Sequence, residues 1–217
     1  MQDDTPDDSK LTRTKRLWAE AGKFLTGRAS RPQDERLPPG QHLVRDWPVL
    51  DLGVHPNVPL STWRLDVTGL VETPLSLDWA QFQALPQTEL RTDIHCVTTW
   101  SRYDNDWRGV KVQDLLDMAG VKEGAGFVML HSFDGYTTNL PLMDFAAPDA
   151  ILATHWMGQP LTQAHGGPMR AVVPHLYFWK SAKWLNRIDL LPGDQAGFWE
   201  RNGYHMYGDP WREQRYG

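Results

Sequence analysis

Between residues 63 and 191 the apolar positions change period several times, and each change marks an element. Trp63, Leu65 and Val67 alternate with polar residues and Gly69 ends the run, so 63–70 reads as a half-buried strand. Ser76-Leu77-Asp78 leads into a short helix over 79–85, with Ser76 or Asp78 as its N-cap. The stretch 89–97 reads as a strand with Cys96 at its end, and 111–119 as a helix closed by Gly120. A buried strand over 127–132 meets Asp134-Gly135, a hairpin turn that returns the chain through 136–140. Further strands are expected at 150–155, 169–173 and 184–191. From Gly197 onward Trp, Tyr, Gly and Arg dominate without a period, which reads as an irregular aromatic wrap. Many strands and few short helices, in no regular alternation, make this an α+β chain.

The first 36 residues follow a different pattern. Residues 1–10 are an acidic tail, and 11–28 predict a helix with Leu17, Trp18, Ala21, Phe24 and Leu25 on one face. Pro32, Pro38, Pro39 and Gly40 then mark an extended linker. The expected organisation is tail, helix and linker over 1–36 and one domain over 37–217. The acidic opening is unlike a secretory leader and no apolar run is long enough to cross a bilayer, so the expected setting is cytoplasmic. A hydrophobic share of 41% allows a sizeable core, while a net charge of −5 argues against a nucleic-acid partner.

Three clusters carry possible chemistry. A single cysteine excludes an internal disulfide and any site built from several thiolates. Alone, a buried cysteine is usually packing. Here Cys96 is crowded by His95, Thr98, Thr99, Ser101 and Arg102, a polar setting that favours the thiolate. With no second cysteine and no closely spaced histidine pair, a metal at Cys96 must draw most of its other ligands from outside the protein. The second cluster is His165-Gly166-Gly167-Pro168-Met169-Arg170 followed by Lys180-Ser181-Ala182-Lys183, a cradle for an anion such as phosphate. Its two glycines permit close backbone approach. The third is Arg45-Asp46-Trp47, an arginine ahead of an aromatic in an extended segment.

Together these clusters resemble the molybdopterin domain of the sulfite oxidase superfamily over roughly residues 37–217. The run Cys96-Val97-Thr98-Thr99-Trp100-Ser101 is most similar to the bacterial branch that contains the methionine-sulfoxide reductase catalytic subunit. The resemblance implies a molybdenum–molybdopterin cofactor with Cys96 as the protein's metal ligand. It also implies a grip on the pterin phosphate by His165, Arg170, Lys180, Ser181, Ala182 and Lys183, with Ser132, Arg45, Asp46 and Trp47 also on the cofactor. The implied activity is oxygen-atom transfer on a small sulfoxide or oxyanion, with Arg45 orienting the substrate and His155 moving protons. Two departures stand against sulfite itself. Thr154 occupies the place of the family's catalytic tyrosine, and Trp47 that of a histidine. No cytochrome domain is present, so an electron partner is implied but unidentified, and the missing dimerisation domain points to a monomer. Two other readings stay open at this stage: a metal-free aromatic ligand-binding module built on the eleven tryptophans, and a non-catalytic molybdopterin carrier.

Overall fold

The computed structural model describes residues 36–217, so the expected helix at 11–28 lies outside the described residues. Two sheets carry the fold. The first contains β1 (His42–Leu43), β4 (Thr88–His95), β5 (Trp100–Lys111), β8 (Ile151–Trp156), β9 (Gln159–Pro160) and β10 (Arg170–Val172). The second contains β2 (Arg64–Gly69), β3 (Leu75–Asp78), β6 (Phe127–Ser132), β7 (Thr137–Pro141) and β11 (Leu185–Leu191), in the order β3-β2-β11-β6-β7. The described helices are short: α1 (Trp79–Gln83), α2 (Val112–Ala119), α3 (Leu142–Phe145) and α4 (Phe198–Arg201). This is the α+β architecture expected, with mixed sheets. β11 pairs parallel with β2 and antiparallel with β6.

Local chemistry accounts for the element ends. Of the two N-cap candidates, Asp78 caps α1: its carboxylate accepts the Gln81 N–H while the Gln81 side chain accepts the Asp78 N–H, a reciprocal capping box. Gly120 ends α2 at a φ of 66°, a conformation open to glycine at little cost. Behind the second sheet, Leu65, Val67, Val128, Leu130 and Ile188 are wholly buried against Phe82, Leu115 and Phe145.

The longest strand was not legible in the sequence. β5 runs through Asp104, Asn105 and Asp106, residue types depleted in strands, with Arg102 and Arg108 on either side. Its partner β4 compensates across the ladder. Arg91 faces Asp106 in register and pairs with it at 2.6 Å, and Glu89 faces Arg108. Opposite charges directly across a ladder stabilise it by roughly 0.2–1 kcal/mol per pair. β5 therefore carries Asp104 and Arg108 outward while Trp107, Val110 and the hydrogen-bonded Asn105 are buried.

A second tertiary contact links stability to pH. His175 lies 2.8 Å from the buried Asp144 carboxylate. Burial works against the charged ring, but the Asp144 hydrogen bond and the surrounding carboxylates outweigh it and raise the His175 pKa. A raised folded-state pKa stabilises the fold below the ordinary histidine value, and that contribution is lost as pH rises through the folded value. Melting temperature should therefore fall between about pH 6 and 8 by an amount that His175→Gln removes, as thermal unfolding followed by circular dichroism will show.

Candidate active site

Cys96 follows the last residue of β4 and opens a tight turn into β5. Its N–H donates to the Trp100 carbonyl at 2.8 Å, and its carbonyl accepts the Thr99 N–H at 3.1 Å. Thr99 sits at a φ of 77°, rare for a β-branched residue. Such a conformation costs about 1–3 kcal/mol and persists only where the surroundings over-determine it. The turn leaves the Cys96 sulfur in a cavity wall, 3.1 Å from the Thr98 hydroxyl. His95, on the preceding strand position, is buried with its Nδ1 2.9 Å from Ser101 Oγ. Burial pushes its pKa down to about 4, so the ring is neutral near pH 7.

The cavity that Cys96 lines holds about 110 Å³ and opens to solvent. Trp47, Leu52, Trp100, Phe178, Trp179 and Trp199 supply much of its apolar wall. Its lining also carries cations. Arg170, at the start of β10, is 2% exposed, and its guanidinium donates to the carbonyls of His165, Ser181 and Ala171. The Phe178 ring lies 4.2 Å from the guanidinium carbon and the Trp47 ring 5.5 Å. Among the described residues no carboxylate forms a salt bridge with it. Burial lowers its pKa to about 9, and Lys183 beside it is lowered to about 8 by burial and by the Arg170 charge. Asp51 reaches within 3.7 Å of Lys183, and Asp134 lines the same cavity with a pKa raised by burial. A desolvated guanidinium without a carboxylate favours an anionic ligand.

The sequence-derived residues divide between those that reach this cavity and those that do not. Cys96, Trp47, Arg170, Ser181 and Lys183 line it. His165 stands behind Trp47, stacked on its indole at 4.0 Å and 3.1 Å from its carbonyl. Ser132 ends β6 near Asp134 and Tyr136, its hydroxyl buried without a hydrogen-bond partner. Ala182 is packed in the core. Lys180 is turned away: its ammonium is wholly buried against Glu200, the Asn139 side chain, and the Asn139 and Met206 carbonyls. Arg45 and Asp46 are exposed outside the cavity lining. His155 pairs with Arg108 across β8 and β5, whereas the neighbouring Trp156–Trp107 pair turns to Trp47, so His155 faces the other side of the sheet.

The two glycines after His165 also serve a different contact from the one expected. A Cβ on Gly167 would lie 2.3 Å from the Leu161 carbonyl oxygen, and one on Gly166 would meet the Lys183 and Arg170 side chains. They seat the His165 loop against its own protein. Sequence reading missed Asp51, Asp134, Tyr136 and Tyr204, because no short motif joins four residues from three separate loops.

A cavity lined by one thiol and by a buried arginine with no salt-bridged carboxylate has the chemistry to take an anionic group and to offer a sulfur ligand to a metal. Comparison with known proteins supplies the family. Residues 52–199 match the family described as "Oxidoreductase molybdopterin binding domain". The chain is 52% identical over 185 residues to "Uncharacterized oxidoreductase YuiH" of Bacillus subtilis (strain 168), covering 85% of this chain and 93% of that protein. It is 28% identical over 178 residues to human mitochondrial sulfite oxidase. It is 27% identical over 169 residues to the protein-methionine-sulfoxide reductase catalytic subunit MsrP of Campylobacter jejuni. Here it covers 69% and 70% of itself but only 33% and 57% of those proteins. Among solved structures, the sulfane dehydrogenase SoxCD of Paracoccus pantotrophus shares the fold, with a TM-score of 0.60, 21% identity, and coverage of 69% of this chain and 42% of that one.

The chain belongs to the oxidoreductase molybdopterin-binding family, of the sulfite oxidase kind. It is an enzyme with a molybdenum–molybdopterin cofactor and oxygen-atom transfer chemistry, and the readings as a metal-free binding module or a non-catalytic carrier fall away.

Lys180 provides a test of placement. With both partners of the Lys180–Glu200 pair wholly buried, removing one strands the other charge. Lys180→Met should lower unfolding free energy by about 3–5 kcal/mol in urea titration, and the double change with Glu200→Met should recover much of it.

Proposed function

We propose that Cys96 is the protein ligand of the molybdenum and that Arg170, Ser181 and Lys183 hold the phosphate arm of the pterin. The enzyme on this reading transfers an oxygen atom to or from a small sulfoxide or oxyanion. The observation that carries the reading is the shared cavity: the Cys96 sulfur, Arg170, Ser181 and Lys183 line one enclosure although they come from separated parts of the chain. The residues fit the group. A thiolate suits a high-valent metal. Arg170, buried without a salt-bridged carboxylate, offers a charge for the phosphate, and the orphaned Ser132 hydroxyl marks a second polar group near the cavity in want of a partner.

When bound, molybdenum–molybdopterin supplies the redox change that accompanies oxygen-atom transfer. The protein's own residues hold and shield. Trp47, Phe178 and Trp179 give the cavity an apolar lining of low polarisability, which strengthens the pull of Arg170 and Lys183 on an anion. Trp47 is itself held by stacking on His165, so the two keep the cationic lining in one arrangement. Neutral His95 and Ser101 support the Cys96 turn from behind without adding charge.

The substrate class rests on the names of relatives, sulfite oxidase and protein-methionine-sulfoxide reductase, and on the pattern of the Cys96 run. Turnover further calls for an electron partner, here an unidentified carrier protein. Among the described residues no helix is long and apolar enough to cross a membrane. We place the enzyme in the cytoplasm, where a lone thiol stays reduced.

Cys96→Ala, purified from a host that makes molybdopterin, should fold and lose molybdenum to background by elemental analysis. It should also lose turnover of a panel of sulfoxides, sulfite and N-oxides with an artificial electron carrier. Full molybdenum content together with full turnover in this variant would sink the ligand assignment. Arg170→Gln should instead reduce pterin content, read by fluorescence of the released pterin, while the Cys96 thiol remains.

A further inference from the structure

The turn that presents Cys96 is gripped from outside the family-matched region. Three of its carbonyls are taken by two segments, one before residue 52 and one after residue 199. Gln41, 2% exposed, donates its side-chain N–H to the Cys96 carbonyl at 3.1 Å. Arg215 donates Nη1–H to the Val97 carbonyl at 2.7 Å. The His42 N–H donates to the Thr99 carbonyl at 2.9 Å.

These grips are themselves built. The Gln41 side-chain oxygen accepts from Ser101 Oγ at 3.3 Å, and Ser101 in turn meets His95. The Arg215 side chain is 11% exposed, with its guanidinium 5.0 Å from the centre of the Tyr177 ring. Its other nitrogen donates to the Pro39 carbonyl at 3.3 Å, so the two outer segments also hold each other. Gly40, at a φ of 67°, makes room for this crossing: a Cβ there would lie 3.2 Å from Arg215 Nη2 and 2.7 Å from a Glu213 oxygen. The carbonyl of Arg215 accepts the His205 N–H, and Tyr204 and Tyr216 form a bridge beside it.

We propose that Gln41 and Arg215 are positioning residues that hold the Cys96 turn in its strained form and so keep the sulfur aimed into the cavity. The inference rests on the reading of Cys96 as the metal ligand. A turn carrying Thr99 at positive φ relaxes when the bonds that over-determine it are removed. Relaxation swings the first residue of that turn, Cys96, away from the direction that a metal held by the rest of the cavity requires. The outer segments thus complete a site whose ligand lies inside the family-matched core.

The test uses the full chain with Arg215→Gln, read in two preparations. In protein from a molybdopterin-competent host, molybdenum per chain should fall roughly tenfold, the scale expected when a group supporting a ligand is removed. In protein from a host that makes no molybdopterin, alkylation of Cys96 by iodoacetamide should quicken severalfold while the far-ultraviolet circular dichroism is unchanged. Arg215→Lys, which keeps a donor for Val97, should restore part of both. The decisive arm is Thr99→Gly in the Arg215→Gln background. Glycine holds a positive φ without strain, so this second change should return molybdenum content and alkylation rate toward those of the parent. A merely structural role for Arg215 predicts no such suppression.

Should Arg215→Gln fail to fold, Gln41→Leu removes the other grip and is read in the same way. Unchanged molybdenum and unchanged alkylation in the single variants, or losses that Thr99→Gly leaves in place, overturn the proposal. Retention of both molybdenum and turnover by Cys96→Ala would instead overturn the ligand reading, while the alkylation rates would still report whether the grips hold the turn.

Discussion

A guanidinium removed from water with no carboxylate salt-bridged to it is the constraint around which this cavity is arranged. The effective penalty for burying an ion is several kcal/mol, and Arg170 meets it with three backbone carbonyls and two aromatic faces. Apart from the Ala171 carbonyl, which lies beside it on β10, those partners come from other segments that must be correctly placed. The His165 loop, the Ser181 segment and the Trp47 segment therefore converge on one side chain. Their convergence draws Lys183 and Ser181 into the same wall as the Cys96 turn, with Asp51 and Asp134 set around Lys183. The unspent positive charge is what suits the enclosure to an anionic cofactor.

A second buried ion behaves in the opposite way. Lys180 has its carboxylate, Glu200, whose Oε1 also accepts from Trp179 Nε1 and Thr138 Oγ1. That charge is satisfied inside the protein and has nothing left to offer a ligand. What it does is dock α4 and the aromatic wrap on β7, which brings Trp199 and Tyr204 to the cavity. Two cations ten residues apart in the chain thus differ: Arg170 lines the cavity while Lys180 fixes its wall, and the difference follows from which of them meets a carboxylate.

Much of this was legible in the chain itself. Alternation at Trp63, Leu65 and Val67, the cap at Asp78, the stop at Gly120 and the turn at Asp134-Gly135 are local effects, decided by residues within a turn or two of one another. β5 was not legible, because the opposite charges that stabilise Arg91 against Asp106 lie on different strands. His155 and Arg45 looked as suitable as Arg170 by residue type. A sheet face and an exposed loop carry them away from the cavity, and neither is visible in spacing alone.

What the amino-acid order determined unaided was the set of available chemistries: one sulfur, a cluster of cations within nineteen residues and a surplus of indole rings. The type of most elements, β5 excepted, and the family likeness followed as well, since both depend on short-range patterns. Tertiary structure decided which cation stays unpaired, which histidine stacks on Trp47, and which distant side chains grip the Cys96 turn. Those outcomes depend on contacts between residues as far apart as Gln41, Val97 and Arg215. Distance through space, which alone sets desolvation and hydrogen bonding, is not written in distance along the chain.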